Sequence, residues 1–334
     1  LTVRQALLQA WTGRGALACL LWPLSRLFGG LAALRRWLYR RRWLQSESVG
    51  IPVLVVGNVV AGGAGKTPVV IALAEHFTRL GVAVGVVSRG HGRSSAGVLP
   101  VHPGSDPRLV GDEPLLIARR TRVPVWVGER RVEAARALLS AHPQLRLILS
   151  DDGLQHHAMA RDVEVCVFDD RGTGNGWLLP AGPLREPWPR PADLVLRTED
   201  APDIDGHVLR RRLATHAVRH DGTRVELASL RGAACHAVAG IAQPQRFFDM
   251  LRAAGLRLQS TQALPDHHDF ASTPLPGADA GPLLCTEKDA VKLMRIAPHA
   301  MAVPLEVEID APFWTALDAL VLPKLSSADG SQTP

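Results

Sequence analysis

The sequence predicts an α/β fold of the phosphate-loop type: a doubly wound, mostly parallel sheet, a second and smaller α/β domain, and an N-terminal membrane-associated helix. Three observations predict it. From Ile51 onward, β-branched runs of strand length alternate with amphipathic helical stretches. The first run opens onto the glycine-rich stretch GNVVAGGAGKTP at 57–68. Before it, the chain is apolar as far as Leu34 and then carries Arg35, Arg36, Arg40, Arg41 and Arg42 among Trp37, Tyr39 and Trp43.

Composition bounds the reading. A chain of 334 residues that is 46% hydrophobic is long enough for a large core and for two domains. Its net charge of +6 points to acidic partners, whether phosphates, nucleic acid or an anionic membrane surface. The four cysteines, at 19, 166, 235 and 285, form neither a CxxC knuckle nor a compact disulfide framework, so a reducing compartment is expected. The opening LTVRQALLQAWTGRG lacks the charge order and cleavage site of a secretory signal, which agrees with a cytoplasmic location.

Taken in order, the first segment is 1–45, an interfacial helix with a basic end. Pro23, Arg26 and the Gly29-Gly30 pair interrupt its apolar part, whereas a spanning helix needs roughly 20 uninterrupted apolar residues. A helix lying in the interface fits, with apolar residues in the acyl boundary and arginines on anionic headgroups. The plain alternative is a packing helix with a solvated basic end.

Residues 46–205 form the phosphate-loop domain. IPVLVVGN, VAVGVVSRG, VPVWVGE, LRLILSDD and VEVCVFDD each end in glycine or a polar turn, as parallel strands do, and the ligand site is expected at their carboxyl ends. Residues 206–225 read as a hairpin linker with an Asp-Gly turn, from HVLRRRL onward. Residues 226–325 form the smaller α/β domain, and 326–334 a disordered tail.

The chemistry starts at the glycine-rich stretch. Val60 stands where the usual pattern has its first glycine, but backbone N–H groups and a helix N-terminus make the cradle, so no donor is lost. Gly62, Gly63, Ala64, Gly65, Lys66 and Thr67 are the expected nucleotide-binding residues. Lys66 would reach the β- and γ-phosphates, and Thr67 would hold Mg²⁺. After the strand Leu145–Leu149, Asp151 and Asp152 are the expected carboxylate support for that ion. Asp112, in Gly111-Asp112-Glu113-Pro114, reads equally as a helix N-cap or as a base that takes a proton from an acceptor hydroxyl. In Asp266-His267-His268-Asp269 the histidines are open to metal ligation or to activating a carboxylate.

These motifs occur in one order with SRGHGR at 88–93, SDDGLQHH at 150–157, GNGWLLPAGPLREP at 174–187 and TEKDAVKL at 286–293. Together they resemble the tetraacyldisaccharide 4'-kinase family of the lipid A pathway in Gram-negative bacteria, from the N-terminal helix to about Asp310. The resemblance implies transfer of the γ-phosphate of ATP, with Mg²⁺, to the 4'-hydroxyl of tetraacyldisaccharide 1-phosphate. It implies lipid IVA as product and a monomer attached to the cytoplasmic face of the inner membrane, with no nucleic-acid partner. It also resolves Asp112 as the catalytic base, assisted by His267 in preference to His268, with Lys66 as the third catalytic residue. Val60 and Ala64 stand where the family usually has hydroxyl residues, His91 where it has Tyr, and Trp177 where a basic residue is common. The competing reading is a membrane-attached phosphate-loop switch ATPase without a lipid acceptor, in which GDEP, LLPAGPLREP and DHH would have no task.

Overall fold

The computed structural model describes residues 3–63, 65–201 and 204–329. Helices α1 (Val3–Ala10) and α2 (Ala16–Arg40) open the chain. There follow β1 (Val53–Gly57), α3 (Lys66–Arg79), β2 (Val84–Ser88), β3 (Leu99–Val101), α4 (Pro107–Val110), α5 (Asp112–Thr121), β4 (Val125–Val127), α6 (Arg131–Ala141), β5 (Leu147–Asp151), β6 (Val163–Phe168) and β7 (Leu194–Thr198). The remainder is β8 (His207–Leu213), β9 (His216–Val218), β10 (Arg224–Glu226), β11 (Ala234–Ala239), α7 (Pro244–Ala253), β12 (Arg257–Ala263), β13 (Leu283–Thr286), α8 (Glu287–Leu293), β14 (Met301–Val303), β15 (Leu305–Ile309) and α9 (Ala311–Asp329).

The described residues fall into two compact units that interleave in sequence. One gathers the chain up to Arg89, Arg130–Arg210 and the chain from Ile309; the other gathers Gly90–Glu129 and Arg211–Glu308. The linear boundaries read from the sequence are therefore cut differently, because α5 packs against α8, far along the chain.

In the first unit β8, β7, β6, β1, β5 and β2 lie side by side, all parallel. β1, β2 and β5 are buried along their whole length, as strands covered on both faces must be. Their apolar runs thus point the carboxyl ends of β1, β2 and β5 to one edge of the sheet. His207–Leu213 extends this sheet instead of forming the first arm of a hairpin. α9 continues through Asp329, past the tail boundary expected at 326, and 330–334 lie outside the described residues. His76 of α3 stacks on Trp314 at 4.4 Å and meets the Asp318 carboxylate at 2.7 Å, which ties α9 to the sheet's helical layer.

α2 is one helix of 25 residues that runs through Pro23 and both glycines, so the expected interruptions do not break it. One face is held by protein: Ser25 Oγ donates to the Leu178 carbonyl at 2.7 Å and accepts from the Ala181 N–H. Gly29 has a reason of its own, since a Cβ there would lie 2.7 Å from Leu178 Cδ1. Its other face leaves Leu17, Leu20, Leu24, Leu27, Leu31 and Leu34 exposed at three- and four-residue steps.

The second unit holds a sheet in the order β10-β9-β14-β13-β11-β12. Its four last-named strands are parallel, while β9 pairs antiparallel with both neighbours. The hairpin is β9–β10, turning through Asp221-Gly222 with Gly222 at φ 87°. Val125–Val127 forms a strand of the nine-stranded sheet, as expected, and β3 pairs with it antiparallel; by their contacts both strands group with this unit.

Candidate active site

Each unit carries one cluster of the predicted residues. In the first, the chain leaves β1 and enters α3 at Lys66, with Gly65 at φ 72° as a left-handed N-cap. No side chain caps this helix, so its first N–H groups remain available to an anion. Arg171 braces the loop: its guanidinium donates to the Ala61 and Gly63 carbonyls at 3.3 and 3.2 Å and pairs with buried Asp169. Gly62, at φ 98°, lies where a Cβ would come 3.1 Å from that guanidinium. Ala64 lies outside the described residues.

Lys66 and Thr67 are both buried. Lys66 Nζ donates to Asn58 Oδ1 at 3.4 Å and faces Asp152 Oδ1 at the same distance. Asp152 also meets Arg185 Nη1 at 3.2 Å. Burial pushes the Asp152 carboxyl upward, but Lys66 and Arg185 outweigh it and hold it below the ordinary carboxylate value. Asp151 is more deeply buried and accepts from Ser88 Oγ at 3.1 Å. Arg131 donates to the carbonyls of Asp151 and Asp152 at 3.2 and 2.7 Å, clamping the end of β5. Thr67 and Asp151 are hard oxygen donors, and the described residues contain no cluster of three or more His, Cys, Asp or Glu able to cage an ion. That donor set fits Mg²⁺, which retains waters and shares phosphate oxygens with few protein ligands.

In the second unit Asp112 is not an N-cap. Gly111 holds that position at φ 93°, and Asp112 is the first helical residue of α5. The buried carboxylate is left to other partners: Asp112 Oδ2 meets His267 Nδ1 at 3.1 Å and Lys292 Nζ at 2.6 Å. Burial, the largest effect on this carboxyl, raises its pKa, while His267 and Lys292 together bring it below the ordinary value. His267, at φ 64°, has its N–H on the Gly240 carbonyl and its own carbonyl on Lys292 Nζ at 3.1 Å. The His268 ring is engaged elsewhere, its Nδ1 accepting the Phe270 N–H at 2.9 Å.

Lys288 stands four residues before Lys292 on α8, which puts both ammonium groups on one helix face. Lys288 Nζ lies 3.4 Å from His267 Nε2 and 3.1 Å from both Glu113 Oε1 and Asp266 Oδ1. Burial lowers its pKa, but Glu113 and Asp266 more than reverse this. A protonated Lys288 donates, so Nε2 accepts and Nδ1 carries the proton offered to Asp112. Asp289 anchors the arrangement: its Oδ2 accepts the Gly240 N–H at 3.0 Å and the Thr286 hydroxyl proton at 2.6 Å.

Comparison with known proteins shows the family. A family model described as Tetraacyldisaccharide-1-P 4'-kinase matches residues 17–322. The chain belongs to that family. Tetraacyldisaccharide 4'-kinase of Polaromonas naphthalenivorans is 54% identical over 99% of this chain and all of the relative. The enzyme of the same name from Acidovorax ebreus is 54% identical over 96% of this chain and 95% of its own. Among solved structures, LpxK from Aquifex aeolicus in complex with ATP superposes with a TM-score of 0.80 at 27% identity, covering 92% of this chain and 99% of that one. Sequence reasoning missed Arg131, Arg171, Arg185, Lys288 and Lys292. For the lysines a signal existed, the i, i+4 pair inside TEKDAVKL, but nothing local names their partners.

Proposed function

We propose that the chain transfers the γ-phosphate of ATP to the 4'-hydroxyl of tetraacyldisaccharide 1-phosphate, forming lipid IVA, and that Asp112, His267 and Lys66 carry the reaction. The observation that carries the assignment of roles is the buried Asp112 carboxylate held between His267 and Lys292. A switch ATPase without an acceptor has no use for it.

The uncapped turn of α3 and residues 62–67 cradle the phosphates, and Lys66 turns from Asp152 to the β- and γ-phosphoryl oxygens. Thr67 and Asp151 would hold Mg²⁺, with Asp152 joining once Lys66 leaves it; the ion would neutralise charge on those same oxygens. Asp112 accepts the hydroxyl proton as the new O–P bond forms. Its low pKa suits a loose transition state, in which the acceptor loses its proton late and the carboxylate serves first to orient it. His267 steadies the carboxylate through its Nδ1–H. Incubation with MgATP and the disaccharide 1-phosphate in detergent should give a bis-phosphorylated product by mass spectrometry; ADP release with unchanged acceptor would support the switch instead.

The acceptor's acyl chains belong to a bilayer, and α2 is long and apolar enough to cross one by length and composition. Because one face is taken up by Leu178 and Ala181, we assign its leucine stripe to the cytoplasmic surface of the inner membrane and treat the chain as a monomer. Leu24→Glu with Leu27→Glu and Leu31→Glu should greatly reduce vesicle flotation while the detergent-based kinase activity persists. Unchanged flotation would rule the stripe out as the attachment.

A further inference from the structure

Four arginines and two glutamates line a cavity of about 810 Å³ in the first unit, beside the C-terminal end of α2. Arg36 and Arg40 come from the helix, Arg161 and Arg190 from the loops beyond, and the carboxylates are Glu164 and Glu186. Not all of this positive charge is compensated. Glu164 is taken by Arg161 at 2.9 Å and by Arg190. Glu186 accepts from Gln155 Nε2 at 2.8 Å, leaving Arg36 at 3.7 Å and Arg190 Nη1 at 3.9 Å. That Nη1 is buried and makes no hydrogen bond, and Arg40 has no ion pair among the described residues. His157, on the cavity wall, reports the resulting field: burial first, then Arg161, Arg35, Arg190 and Arg36, push its pKa down to about 4.

Uncommitted guanidinium N–H groups in a partly desolvated cavity match phosphate oxygens. Beside Tyr39, Ser46 and His157 the rest of the wall is apolar, with Met159, Ala160 and three prolines, which suits a small esterified group better than a bare ion. The exposed leucines at 27, 31 and 34 lead directly to Arg36 and Arg40, and along an interfacial helix that transition falls at headgroup level. We propose that this cavity binds the phosphodiester headgroup of an anionic phospholipid such as phosphatidylglycerol, as a site separate from the phosphate loop. The inference goes beyond the kinase reaction and rests, for the level at which the cavity lies, on the reading of α2 as an interfacial helix.

The test uses soluble lipid, so that membrane attachment does not enter. The full chain is titrated with dihexanoyl phosphatidylglycerol below its micelle concentration, followed by NMR, beside dihexanoyl phosphatidylcholine and inorganic phosphate. Saturable binding of phosphatidylglycerol alone is expected. Arg40→Ala should weaken it about fivefold, the contribution of one arginine near an anionic lipid. Ala160→Trp, which fills the cavity without changing charge, should abolish it, and Arg26→Ala, at the other end of α2, should leave it unchanged. Should Ala160→Trp fail to fold, the exposed Arg40→Ala decides. Equal binding of inorganic phosphate or phosphatidylcholine, absence of saturation, or full affinity in Arg40→Ala would each overturn the headgroup assignment.

Discussion

Lys66→Ala is expected to lower kcat/KM for ATP by about a hundred- to a thousandfold while leaving the fold intact. Removal of a single preorganised charge that meets developing negative charge costs this much in enzymes generally. The fold should survive because Asp152, the carboxylate Lys66 faces, keeps Arg185 at 3.2 Å, and Asn58 keeps its amide N–H on the Gly62 carbonyl at 3.4 Å. Thermal unfolding separates the two effects: Tm should move by no more than a few degrees as turnover collapses. Lys66→Arg should not restore activity, since a planar fork cannot replace a compact ammonium inside a buried loop. Turnover of Lys66→Ala within tenfold of wild type would remove Lys66 from the mechanism.

The phosphate loop was legible in the sequence because everything that makes it is local: strand β1, a loop with Gly62 and Gly65 at positive φ, and a helix beginning at Lys66 lie within 27 consecutive residues, 53–79. Asp151 was legible for the same reason, as the end of an apolar strand. What surrounds Asp112 was not legible from its residues alone; only the family resemblance pointed to His267, and nothing pointed to Lys292. Its ionic partners arrive from His267 and Lys292, and neither hydrophobic periodicity nor turn chemistry encodes a contact over such separations. From residues alone Asp112 stayed divided between cap and base; its ionic surroundings set the cap aside, because Gly111 occupies that position. The unit boundaries were hidden for a related reason. α5 reads as one more crossover helix of the parallel sheet, yet Arg120 on it pairs with Glu287 at 2.8 Å at the start of α8. In α2, local rules overstated the effect of Pro23 and the glycines: a proline costs one backbone donor, and a helix held along one face by tertiary contacts tolerates that loss.

The last expected result concerns Asp112 as part of a three-residue unit. Asp112→Asn keeps the shape of the side chain and an oxygen for His267 and Lys292 but cannot take up a proton, so kcat should fall by about a hundred- to ten-thousandfold, with a smaller change in the KM for ATP. His267→Ala should lower kcat as well, and the double variant should resemble the worse single one, because groups that act together do not lose activity additively. Lys292 supplies the readout that a purely structural account would not move. Burial raises the Asp112 pKa, and His267 and Lys292 hold it down. In Lys292→Met the burial remains and one of the two opposing partners is gone, so the pKa rises. A base must be deprotonated to work; the acid limb of the kcat/KM profile should therefore shift to higher pH in Lys292→Met, with activity recovering as pH increases. A purely structural lysine would lower activity at every pH alike. Near wild-type turnover in Asp112→Asn would end the base assignment, whereas a folded, ATP-binding and inactive protein, together with the displaced acid limb of Lys292→Met, would assign proton transfer to Asp112 and its tuning to α8.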